Sequence, residues 1–111
     1  MDIVNERTTW IINASFTDEN EDAVIPDLGE YSISDEKSGT EIVGPTAFDP
    51  SSSSYDFEVL PEQNRILNAK NRFEERILTL TFVYSGNKEG TAEYRWSVKN
   101  LDKIPMEDES S

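Results

Sequence analysis

With 111 residues, the chain has room for one domain and one ordinary core, and none for a second domain. Cysteine and histidine are both absent, which excludes disulfides, thiolate metal sites, cysteine nucleophiles, histidine-based zinc sites and any Ser-His-Asp relay. Twenty-three acids against ten bases give a formal charge of −13, which repels nucleic-acid phosphates and anionic membranes and disfavours direct binding to either.

The opening stretch, MDIVNERTTW, carries acids and no long apolar run, so neither a signal peptide nor a membrane span is expected and synthesis as a soluble cytoplasmic product is the default. Residues 8–16 then alternate Trp10, Ile12, Ala14 and Phe16 against Thr9, Ile11, Asn13 and Ser15, the period-two pattern of a half-buried strand. An acidic loop over 17–22 follows, with Pro26 and Gly29 as breakers, and Tyr31 and Ile33 in EYSIS mark a short second strand. TEIVG at 40–44 predicts a brief strand ended by Gly44-Pro45. The serine run 51–54 predicts a turn into YDFEVL, where Tyr55, Phe57 and Val59 alternate with two acids.

Pro61 opens PEQNRILNAKN, where a first-turn proline, a neighbouring acid and Ile66, Leu67 and Ala69 predict one short helix or helical turn. RILTLTFVYSG puts Leu78, Leu80, Phe82 and Tyr84 on one face and further β-formers on the other, as in a central strand. The loop 85–90 and the alternating run 91–101, with Ala92, Tyr94, Trp96 and Val98 on one side, complete a hairpin. Six or seven short strands with one helical turn predict an all-β fold, an Ig-like antiparallel β-sandwich over 1–101. An OB-like barrel is the alternative closure. Residues 102–111 lose periodicity and read as an acidic mobile tail.

Asp18, Asn20 and Asp22 in DENEDA place oxygens at alternate loop positions, as a hard cation needs. The sixth and twelfth positions of a calcium hand are occupied here by Ala23 and Gly29, so the stretch reads as a solvated loop and no metal or cofactor is expected. A chain with this many acids places some carboxylate pair at a sugar-hydrolase spacing by chance, and no catalytic constellation is assembled, so no enzyme activity is expected. Trp10, Phe82, Tyr94 and Trp96 read as packing residues. Phe48 and Phe73, in turn-like segments, read as partner contacts. Arg65, Lys70, Arg72 and Arg76 gather around the helical turn, where they read first as ordinary short-range charge pairs with Glu62, Glu74 and Glu75 and second as a basic patch that fits an acidic loop or tail of a neighbouring copy.

Over PEQNRILNAKNRFEERILTLTFVYSGNKEGTAEYRWSVKNL, with TTWIINASFTDE near the start, the chain resembles a group of small Ig-like proteins encoded in the structural gene clusters of tailed bacteriophages and prophages. The resemblance implies a non-enzymatic virion component on the capsid shell or at the head-to-tail junction, made in the host cytoplasm, contacting other virion proteins and repeated as a homo-oligomer in the particle. It supplies no fixed site motif. Two other classes compete with it: an acidic DNA mimic or other host-directed binder, suggested by the charge, and a carbohydrate-binding or adhesion module, which requires exposed aromatics, with the accessibility of Trp10 and Trp96 separating it from the packing reading.

Overall fold

A computed structural model describes residues 2–101; the tail expected over 102–111 lies outside them. Seven strands form among the described residues: β1 (Asp2–Asn5), β2 (Trp10–Ser15), β3 (Leu28–Asp35), β4 (Glu41–Phe48), β5 (Ser54–Val59), β6 (Phe73–Tyr84) and β7 (Lys88–Lys99), with one 3-10 turn at Pro61–Asn64. They divide into a five-stranded sheet of order β1-β7-β6-β3-β4 and a two-stranded sheet of β2 and β5. The expected sandwich is therefore present, and no barrel closes among the described residues. The larger sheet matches the GFC sheet of an Ig-like domain extended by one strand at each side, and β2 and β5 occupy the places of strands B and E.

The core follows from the alternation. Leu78, Leu80 and Phe82 of β6 with Trp96 and Val98 of β7 face Ile12, Ala14, Phe57 and Val59 of the smaller sheet, all of them buried. β6 and β7 pair along their whole length from Phe73↔Lys99 to Tyr84↔Lys88, so the hairpin loop is only Ser85 to Asn87, shorter than the sequence suggests. Ser85 and Gly86 take left-handed backbone there, at φ 51° and 84°, and Asp27 Oδ2 accepts the Gly86 amide at 3.0 Å.

Two expectations are corrected. β1 was not foreseen, since DIVN is too short to show a period; it pairs in parallel with β7, Val4 opposite Val98, so the larger sheet is mixed rather than wholly antiparallel. Gly44-Pro45 does not end β4, which runs on to Phe48. β4 is an edge strand, where a proline without an N–H is tolerated, and its pairing with β3 shifts register between Tyr31↔Thr46 and Ile33↔Val43, around that dipeptide. The expected helical turn after Pro61 forms as a 3-10 turn, closed by the Leu60 amide donating to Gln63 Oε1 at 2.8 Å. Beyond it, side chains from β6 claim the backbone groups that a helix would use.

Candidate functional site

At the end of the sandwich where β3, β5 and β7 finish, the inner face of the larger sheet changes from apolar to charged. Extending the β6 alternation backward from Leu78 places Arg76 and Glu74 inward, and register places Asp35 opposite Arg76. Arg76 is wholly buried. Its Nη1 donates to Asp35 Oδ1 at 2.7 Å, and its Nη2 donates to Glu74 Oε1 at 3.0 Å and to the Arg65 carbonyl at 2.6 Å. A buried guanidinium is tolerable because the two carboxylates and the carbonyl replace much of its hydration.

Each carboxylate then fastens a loop. Asp35 Oδ2 accepts the Ser38 amide and hydroxyl at 2.9 and 2.8 Å, which shapes the β3–β4 turn. Glu74 accepts the Leu67 and Asn68 amides and the Asn71 side chain at 2.8, 2.9 and 2.8 Å. Burial by itself pushes the Glu74 carboxyl up; these donors, together with Arg76, outweigh it and hold the group below its ordinary value. Asn100 Nδ2 donates to the Ala69 and Asn71 carbonyls at 3.1 and 2.9 Å, so the strand that ends the described chain also grips this loop. On the other side Trp96 Nε1 donates to buried Asn64 Oδ1 at 2.9 Å, while Asn64 Nδ2 donates to the Thr8 carbonyl at 2.7 Å.

The result is a stiff 65–72 segment with an open groove of about 820 Å³ beside it, between that segment and the β3–β4 turn. Leu67 and Phe73 line the groove and remain 49% and 46% exposed, next to Glu36, Lys37, Ser38 and Glu75. Of the residues expected to contact a partner, Arg65, Lys70, Arg72 and Phe73 are exposed at this end of the molecule. Two are corrected. Arg76 is consumed internally, because its strand parity turns it inward. Phe48 is no turn residue: it closes β4, half-buried, with its ring centroid 4.8 Å from Tyr55 and 4.9 Å from Phe57.

Acids collect at the opposite end, in Asp18, Glu19, Glu21, Asp22, Asp27, Asp49 and Glu89, with Lys88 among them. Asp18 Oδ1 accepts the Asn20 and Asp22 amides at 2.8 and 3.0 Å, so the carboxylate closes its own loop. Glu19 accepts Lys88 Nζ at 2.6 Å and the Tyr84 hydroxyl at 2.9 Å. The hydrogen bond from Lys88 is the main reason its carboxyl falls from 4.5 to about 2, followed by its own backbone amide and Tyr84. Among the described residues no group of three or more acids converges as a metal would require.

Trp96 is buried and Trp10 half-buried against the core, so the inward reading of both stands and neither offers an open stacking face. Glu74, expected as a short-range charge partner of the basic cluster, does pair with Arg76, although inside the fold; Asp35 and Asn64 escaped sequence reasoning. No helix among the described residues is long and apolar enough to cross a membrane. No family model, curated protein or solved structure matches the chain.

Proposed function

We propose that the chain is a non-enzymatic structural component of a bacteriophage virion, a capsid decoration or head-to-tail accessory protein that acts through protein–protein contacts. The observation that carries the contact role is the division of labour at the 65–73 end. Arg76, Asp35 and Glu74 spend their charge inside, fixing loops, while Leu67 and Phe73 stay exposed beside Arg65, Lys70 and Arg72. Exposed apolar groups on a rigid, polar-rimmed platform fit protein recognition. In a particle that repeats the contact through symmetry, weak individual contacts suffice. The phage assignment itself rests on the resemblance described above.

Quantitative mass spectrometry of purified particles tests the proposal. Hundreds of copies per particle fit decoration of the shell, and about a dozen fit a neck with cyclic symmetry. Phe73→Ser combined with Arg72→Glu is expected to lower incorporation while leaving the fold intact. Complete absence from particles would remove the virion reading. It would favour the acidic binder instead, a second reading supported by the carboxylates gathered around Asp18–Asp22 and tested by pull-down of nucleic-acid enzymes at low salt.

A further inference from the structure

In an Ig-like sandwich the sheet opposite the GFC strands has the order A-B-E-D. Among the described residues that sheet is β2 and β5 alone. β1, in the place of strand A, lies on β7 and not beside β2, and residues 49–53, which join β4 to β5, are too few to cross between the sheets and also supply a strand D. The place beside β5 is therefore open. Among the described residues, the backbone hydrogen bonds of Ser54–Val59 run to β2 and to no other strand.

Three half-buried rings lie along this opening. Phe48 packs on Tyr55 and Phe57, and Tyr31 lies 5.0 Å from Phe57, yet Tyr31, Phe48 and Tyr55 remain half-buried while Phe57 is closed over. A further strand beside β5 would cover them. The opposite parity of β5 turns Asp56 and Glu58 outward, both exposed, so the outer face of any added strand flanks two carboxylates.

These features choose between occupants. A second copy pairing β5 with β5 sets Asp56 and Glu58 against the same acids, and like charges across a ladder are destabilising. The net charge of −13 adds to that repulsion. The other edges are less suited: β4 is interrupted by Pro45 and register shifts, β1 has four residues, and β2 presents no outward charge to select a partner. We propose that the open edge of β5 accepts an extended segment of another protein, alternating apolar residues turned onto Tyr31, Phe48 and Tyr55 with lysine or arginine turned outward against Asp56 and Glu58. Backbone pairing supplies affinity and the alternation supplies selectivity. This inference rests on the protein-contact reading above and names the chemistry of one partner.

The test uses the full chain and a seven-residue peptide alternating valine with lysine. Controls are a peptide of the same composition with its lysines in one block, and a peptide alternating valine with glutamate. The alternating lysine peptide is expected to slow amide exchange over residues 54–59 and to bind at least tenfold more tightly than either control. Glu58→Lys, at an exposed site, is expected to weaken binding at least tenfold with an unchanged melting temperature. Asp56→Asn, which preserves the acceptor for Asn13 Nδ2, is expected to weaken it severalfold. Equal binding of the blocked peptide, protection at β2 or β4 instead of β5, or concentration-dependent pairing of the chain with itself through β5 would overturn the proposal. Presence in particles without peptide binding removes this inference and leaves the virion reading standing; peptide binding by a chain absent from particles does the reverse.

Discussion

Phe82 lays its ring across Gly90, its partner in the β6–β7 ladder, so that a Cβ on Gly90 would stand 2.4 Å from the ring's Cζ. One strand over, Phe48 covers Gly29 in the same way, also at 2.4 Å, and register aligns Phe48, Gly29, Phe82 and Gly90 in one row across four strands. Aromatic rings here fill the space that the glycines leave. Phe82 is buried against Phe16 at 5.1 Å, whereas Phe48 is half-buried and has room to swing. Gly90→Ala is therefore expected to cost about 1–3 kcal/mol through overpacking, and Gly29→Ala less. Thermal melts of the two variants check the order, and a larger loss at Gly29 would contradict it.

Asn64→Ala removes the acceptor of Trp96 Nε1 and the donor to the Thr8 carbonyl, leaving the buried indole N–H unpaired. The expected loss is about 1–3 kcal/mol in urea unfolding. In a Trp10→Phe background, Trp96 emission is expected to resist acrylamide quenching, as its burial requires. Strong quenching of native Trp96 would reopen the carbohydrate-platform reading.

Arg76→Ala strands Asp35 and Glu74 as buried carboxylates and frees the 65–72 loop. A loss of about 3–5 kcal/mol is expected, with faster amide exchange at Leu67 and Asn68, whose amides Glu74 holds. Arg72→Ala, at an exposed position four residues earlier, is expected to change stability by no more than about 0.5 kcal/mol. Comparable losses at the two sites would show that the buried network contributes little.

Glu19 and Glu74 both bind a proton less readily in the folded chain than in the unfolded one. Their contribution to stability is therefore complete above the ordinary carboxyl value near 4.5 and is lost as pH falls toward about 2, the folded value of Glu19. Melting temperature is expected to fall across that window, and Glu19→Gln is expected to make the fall shallower. The same substitution replaces the charged acceptor of the Tyr84 hydroxyl with a neutral, weaker one, and the ionisation of that hydroxyl is pushed upward chiefly by its hydrogen bond to Glu19. Phenolate absorbance is then expected to appear at lower pH. An unchanged titration would mean that the Glu19–Tyr84 bond does not persist in solution.

The strand faces were legible because burial on one side of a sheet imposes a period of two, and β2, β5, β6 and β7 obey it closely. β1 was illegible because four residues carry no period and its pairing is set by β7, more than ninety positions away. The candidate site was half legible. The exposure of Arg65, Lys70 and Arg72 agrees with their loop-like context and Phe73 is exposed although it opens β6, but charge alone made Arg76 look like a surface residue when its place two before Leu78 turned it inward. Asn64 gave no signal at all, since its role depends on a tryptophan from a strand 32 positions later.

β1 and β7 run side by side in the same direction, from Asp2↔Trp96 to Asn5↔Lys99. A tensile load applied between residues 2 and 101 drags these strands lengthwise past each other, so the rungs of the ladder share the force instead of opening one at a time. Mechanical resistance then resides in this short parallel pair, although it adds little to the core, and it sets an unfolding rate under load rather than an equilibrium stability. Pulling from residues 2 and 101 is expected to require a higher rupture force than pulling the β6–β7 hairpin apart from its open end, where Phe73 and Lys99 separate first.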